Sequence, residues 1–124
     1  MITFRYADDA GGVLVVYADI GEWTAGSVVI REHNSRQVAI GQLHVVPEWR
    51  GQRVARRLMT HAIGLFPRAE KWLYAELWVP EGSRPGPPRE ILERFYASLG
   101  FVAAEDSQGR RAMVLRLTRR DGCR

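Results

Sequence analysis

"VVPEWRGQRVARRL", Val45 to Leu58, decides how this chain is read. An apolar, β-branched segment meets Pro47, turns through Arg50-Gly51, and continues with apolar residues at helical spacing. Val54, Leu58, Ala62 and Leu65, with Ala55 and Met59 beside them, make one stripe, and Arg53, Arg56 and Arg57 fall largely off it. The spacing predicts a helix over Arg50–Phe66, stopped by Pro67. A strand feeding a helix in this way leaves the first N–H groups of the helix without acceptors, and the macrodipole adds positive potential there, which suits an anion. Gly51 lets a ligand approach the backbone closely. The arginines admit three readings: a nucleic-acid grip, a solvated helix face, or a cradle for a smaller anion.

Working outward, residues 1–46 read as strands. "GVLVVYADI" (12–20) is bounded by glycines, and "GSVVIRE" and "RQVAIGQLHVV" are two further strands joined by the polar turn "HNS". In the last of these the apolar parity switches from Val38 and Ile40 to Leu43 and Val45 across Gly41-Gln42, which predicts a β-bulge. Past the first helix, "KWLYAELWV" (71–79) reads as a strand and "PEGSRPGPP" (80–88) as a proline-stiffened loop. A second helix runs from about Pro88 to Leu99, opened by proline and closed by Gly100. "FVAAE" and "AMVLRL" make a hairpin across "DSQGR", and the tail 118–124 is expected to fray. The order predicts one α/β domain over 1–124 with a mixed, mostly antiparallel sheet.

The chain has 124 residues and a formal charge of +4, and 46% of it is hydrophobic, as in ordinary soluble domains. Of 18 basic residues only Lys71 is lysine, and arginine suits bidentate recognition of phosphate or carboxylate. One cysteine, Cys123, forms no internal disulfide and suits a reducing cytoplasm. No signal peptide or membrane-spanning run is present in this sequence, and the histidines lack metal-ligand spacing, so neither a membrane nor a metal is expected.

The segment has the form L-x-V-x-P-x-x-R-G-x-x-V-A-x-x-L, and "FYASLGF" (95–101) follows about forty residues later, a helix end with Tyr-x-x-x-Gly-Phe. Together they resemble the GNAT superfamily of acetyl-CoA-dependent N-acetyltransferases, the first matching its acyl-CoA motif and the second its tyrosine-bearing helix. The resemblance covers roughly the second two-thirds of the chain. It implies that Leu43 and Val45 lie on a splayed strand along the pantetheine arm, with the Val45 N–H region polarising the thioester carbonyl. It further implies that Arg50, Gly51, Gln52, Arg53, Val54 and Ala55 wrap the pyrophosphate, and that Tyr96 protonates the leaving thiolate. Two positions depart from the family pattern. Arg53 stands where the first motif glycine is expected, and Arg89 stands where an asparagine is often found.

Glu76 shares a strand face with Trp72, Tyr74 and Trp78, and a carboxylate among aromatics can bind a cationic amine and take its proton. A half-exposed face packed under a helix is the plainer reading of the same residues. Arg56 and Arg57 read as a solvated helix face, and His44 as a core histidine. The family's usual pair of helices between the first two strands is missing here, which suits a bulky or macromolecular amine acceptor, or a site completed by a second subunit in a homodimer. The expectation is a cytoplasmic N-acetyltransferase acting by direct transfer. Its rivals are a GNAT-fold binding protein that has lost catalysis and a small basic nucleic-acid-binding module; no recognised nucleic-acid motif supports the second.

Overall fold

The computed structural model describes residues 1–8, 11–73, 89–105, 109 and 111–116. Four strands come first: β1 (Ile2–Asp8), β2 (Val13–Ile20), β3 (Trp23–Asn34) and β4 (Gln37–Val45). Each pairs antiparallel with the next, so the amino-terminal half is a meander. Residues 9–12 alone join β1 to β2, and Gly21-Glu22 join β2 to β3, with Gly21 at φ +61°. Neither connection has room for a helix.

After β4 come a 3-10 turn (Pro47–Trp49), helix α1 (Val54–Leu65), β5 (Glu70–Leu73), helix α2 (Arg89–Ser98), β6 (Val102–Glu105) and β7 (Arg111–Leu115). The seven strands form one sheet in the order β1-β2-β3-β4-β5-β7-β6. Its only parallel pair among the described residues is β4–β5, and α1 supplies the crossover that a parallel pair requires. The expected mixed, mostly antiparallel sheet is what forms.

Register explains the core. Phe4 pairs with Ala18, Val16 with Val28 and Ile30 with Ile40, so these residues share one face of the sheet. Helix α1 packs across β2, β3 and β4 on that face, burying Val54, Leu58, Met59 and Ala62 against Val16, Val28, Ile30 and Ile40. Each such aliphatic side chain contributes about 1.5–3 kcal/mol on burial.

The bulge lies in β4. Ser27 pairs with His44 but Val29 pairs with Gly41, so β4 carries one extra residue there. Gln42, not the neighbouring glycine, takes the left-handed backbone, at φ +52°. The slip returns Leu43 and Val45 to the α1 face, where both are half-buried against the core. Gly26, opposite, is required: a Cβ there would meet the His44 carbonyl oxygen at 2.7 Å.

Helix α2 ends in a Schellman motif. The Phe101 N–H donates to the Tyr96 carbonyl at 3.2 Å and the Gly100 N–H to the Ala97 carbonyl at 3.0 Å, with Gly100 at φ +100°. The ring of Phe101 folds back onto Tyr96, centroids 6.3 Å apart. The spacing Tyr-x-x-x-Gly-Phe is therefore the chemistry of this cap: glycine for the left-handed residue, and an aromatic pair closing over it.

Two expectations change, and others reach beyond the described residues. The first helix does not start at Arg50: a 3-10 turn ends at Trp49, and α1 begins at Val54. His44 is exposed, not a core histidine, because the bulge turns it outward. The expected strand 71–79 is described only through Leu73. The rest of it, the proline-rich loop and the tail 118–124 lie outside the described residues.

Candidate active site

The turn between β4 and α1 is built from backbone that leaves donors free. Trp49 N–H donates to the Val46 carbonyl at 2.9 Å and Arg50 N–H to the Pro47 carbonyl at 3.2 Å. The Arg50 Nε then reaches back to the Val45 carbonyl at 3.1 Å, so Arg50 holds the turn with both its N–H and its side chain. Gly51 follows at φ +82°, with open space where a Cβ would be. Arg53 also adopts the left-handed conformation, φ +64° and ψ 18°, and is the N-cap of α1. The helix ladder starts with the Arg57 N–H donating to the Arg53 carbonyl at 3.0 Å.

Between those bonds, the N–H groups of Gly51, Gln52, Arg53, Val54, Ala55 and Arg56 meet no acceptor among the described residues. The first turn of α1 holds no acid, and Arg53, Arg56 and Arg57 place cations at the positive end of the dipole. That arrangement costs the free helix a few tenths of a kcal/mol per charge and favours an anion. Gly51, Gln52, Arg53, Val54 and Ala55 are thus brought together as a donor set. Arg50 differs from them, because its N–H is already spent on the turn.

Val45 stands at the edge of this loop. The Val46 N–H donates to the Ala25 carbonyl at 2.8 Å, which makes Val45 and Gly26 a non-hydrogen-bonded pair. The N–H of Val45 therefore points away from β3, toward the side on which β5 lies. The described pairing of β4 with β5 runs from Gln37–Glu70 to Ile40–Leu73, so the splaying expected beyond it lies outside the described residues.

Tyr96, on α2, is fully buried, and its hydroxyl has no hydrogen-bond partner among the described residues. Burial pushes its pKa up to about 12. An unpartnered buried hydroxyl costs about 1–3 kcal/mol, which a ligand acceptor at that point would recover. The Phe95 ring flanks it at 5.3 Å.

Arg56 was expected in water with Arg57. Although exposed, its Nη2 donates to the Ser98 hydroxyl at 2.7 Å, Ser98 donates on to the Phe95 carbonyl at 2.5 Å, and the guanidinium sits 5.8 Å from the Phe95 ring centre. The helical spacing of Arg56 showed which side of α1 it occupies, and no signal in the sequence told that α2 would end there. A second cluster also escaped the sequence: His61 stacks on Phe4 at 3.9 Å and shares a hydrogen bond with Tyr6, beside an open cleft of about 280 Å³ lined by Phe4, Arg56, Arg57, Thr60 and His61. Glu76 lies outside the described residues. Among the described residues no group of three or more His, Cys, Asp or Glu could hold a metal ion, and no helix is long and apolar enough to cross a membrane.

The chain is thus an α/β domain with a mixed sheet, whose β4–turn–α1 junction offers a row of N–H groups without acceptors among the described residues. The acetyltransferase (GNAT) domain model matches residues 9–103, and the chain belongs to that family. Among solved structures it is similar to an acetyltransferase of the GNAT family from Elizabethkingia anophelis with acetyl-CoA bound, at TM-score 0.69 and 9% identity, covering 94% of this chain and 98% of that one. It is also similar to the PaiA N-acetyltransferase of Thermoplasma acidophilum in complex with coenzyme A, at TM-score 0.64 and 16% identity over 86% of this chain. This chain spans 62% of the length of that enzyme. A GNAT-family acetyltransferase from Staphylococcus aureus gives TM-score 0.63 and 14% identity, covering 87% and 70% of the two chains. At these identities the likeness is one of fold. No curated protein sequence matches the chain.

Proposed function

We propose that this protein transfers an acetyl group from acetyl-CoA to a primary amine by direct transfer. The observation that carries the reading is the row of unpartnered N–H groups from Gly51 to Arg56 at the start of α1, in a chain of the acetyltransferase family. Two features favour the fit of the co-substrate. The loop is open where a Cβ of Gly51 would stand, and Tyr96 holds a buried hydroxyl with no partner among the described residues.

Gly51, Gln52, Arg53, Val54 and Ala55 would hold the pyrophosphate through their N–H groups, with the Arg50 guanidinium steadying the turn beneath them. Anchoring so far from the reacting bond positions the acyl end without engaging it. Leu43 and Val45 would line the pantetheine arm, and the Val45 N–H, turned from β3, would donate to the acyl oxygen, where negative charge develops. The bound thioester supplies an acetyl carbon open to attack by a neutral amine and a sulfur that departs needing a proton. Tyr96 keeps its proton at neutral pH, since burial raises its pKa to about 12. Against a free thiol of pKa about 8.5, complete transfer from such a phenol is uphill, so its main action is a hydrogen bond to the developing thiolate. Transfer follows to the extent that the same burial raises the basicity of the sulfur. Glu76 is proposed as the group that binds the amine as its cation and takes the proton it gives up.

The four-residue link between β1 and β2 supports an open acceptor side and hence a bulky or macromolecular amine. Thermal denaturation with and without acetyl-CoA tests the binding step, because a ligand that binds only the folded state raises its stability. Stabilisation at micromolar to millimolar acetyl-CoA, with thiol release on adding an amine acceptor, is expected. Stabilisation without thiol release across small amines, peptide amino termini and lysines would favour the binding-protein reading instead.

A further inference from the structure

The first turn of α1 and the last turn of α2 are joined by one side chain. Arg56 offers its backbone N–H to the row at the loop, while its guanidinium lies on α2. There it donates to Ser98 at 2.7 Å, and Ser98 donates to the Phe95 carbonyl at 2.5 Å, which closes a relay onto the turn that carries Tyr96. The guanidinium also lies 5.8 Å from the Phe95 ring centre, and that ring in turn packs on Tyr96 at 5.3 Å. Tyr96 is held from its other side by the Schellman closure at Gly100 and Phe101.

We infer that Arg56 is a positioning residue: it ties the anion-binding turn of α1 to the end of α2 and so fixes the Tyr96 hydroxyl relative to a cofactor anchored on that turn. The inference rests on the acetyl-transfer reading above. An anion drawn to the first turn of α1 orders the residue that also grips α2, so cofactor binding and the placement of Tyr96 become linked. A guanidinium suits this task because it can donate to Ser98 and face the Phe95 ring at once.

The test compares the wild type with Arg56→Gln, Arg56→Lys and Ser98→Ala, all at solvent-exposed positions. Loss of the charge-assisted bond and the ring contact in Arg56→Gln should lower kcat by about three- to tenfold, with KM for acetyl-CoA within about twofold. Arg56→Lys should recover part of the loss, since an ammonium can still donate to Ser98. The double variant Arg56→Gln/Ser98→Ala should be no slower than the worse single variant, as members of one relay are not additive. Amide hydrogen exchange gives a readout apart from turnover: saturating acetyl-CoA should slow exchange over Phe95–Leu99 in the wild type and fail to do so in Arg56→Gln. An unchanged kcat in Arg56→Gln, additive losses, or equal protection of α2 in both proteins would overturn the inference while leaving the acetyl-transfer reading intact. A wild type that neither binds acetyl-CoA nor releases thiol overturns both.

Discussion

Tyr96 and Arg53 both hold an energetically awkward position, each for a different reason. The Tyr96 hydroxyl is buried without a partner among the described residues, so Tyr96→Phe should raise stability by about 1 kcal/mol in urea unfolding while lowering turnover by about a hundredfold. A residue kept only for packing would show the first change without the second. Its ionisation gives a further check. The unfolded phenol loses its proton near pH 10 and the folded one only near 12, so above pH 10 the unfolded state binds fewer protons and stability falls as pH rises. Between pH 10 and 12 the wild type should lose about 2–3 kcal/mol that Tyr96→Phe keeps, as read from denaturation midpoints in that range. Arg53 carries a left-handed backbone that L side chains adopt at a cost. Arg53→Gly should relieve it and remove a cation from the positive end of α1, giving about 0.5–1 kcal/mol of added stability, whereas Arg53→Ala should gain less because the strain remains. Acetyl-CoA binding by the glycine variant, followed by thermal shift, should persist if backbone N–H groups do the anchoring.

At the scale of elements, the sequence made the β4–turn–α1 junction legible because each part has a local cause. Parity switching at Gly41-Gln42 signalled the extra residue, and the stripe from Val54 to Leu65 signalled the helix. The misplaced start of α1 has a physical reason. Pro47 and two left-handed residues, Gly51 and Arg53, hold the chain in a turn for longer than helical periodicity implies. Arg53 reads as an ordinary helix residue in the sequence; its conformation shows only once the loop is closed. Equally, nothing local in "VARRL" distinguishes Arg56, which reaches α2, from Arg57 beside it. Contacts between segments forty residues apart leave no periodic trace, and the same holds for His61 with Phe4 and Tyr6.

Over the whole molecule, the element order and the mixed sheet followed from strand and helix patterns alone, and the short β1–β2 link was visible as missing length. Reading that link as an open acceptor side goes a step further, since it depends on what approaches the sheet and not on the sheet itself. Glu76 stands at the same limit, its strand face being legible and its surroundings lying outside the described residues.

The amino-terminal meander has a consequence for how the protein assembles. β1 to β4 pair in chain order through tight links, so their contacts are close in sequence and closing them costs little chain entropy. Strand β5 must instead wait for the whole of α1, and β7 must span α2 and β6 to reach its place. Folding should therefore begin in the meander: Val28→Ala should slow refolding with little effect on unfolding, and Val114→Ala should chiefly accelerate unfolding, as measured by stopped-flow chevrons. The loop that would bind the cofactor sits at the boundary between an early half and a late half. A nascent chain emerging from the ribosome would close this turn before β5, β6 and β7 are in place, because its hydrogen bonds run within residues 45–57 and α1 packs on β2, β3 and β4.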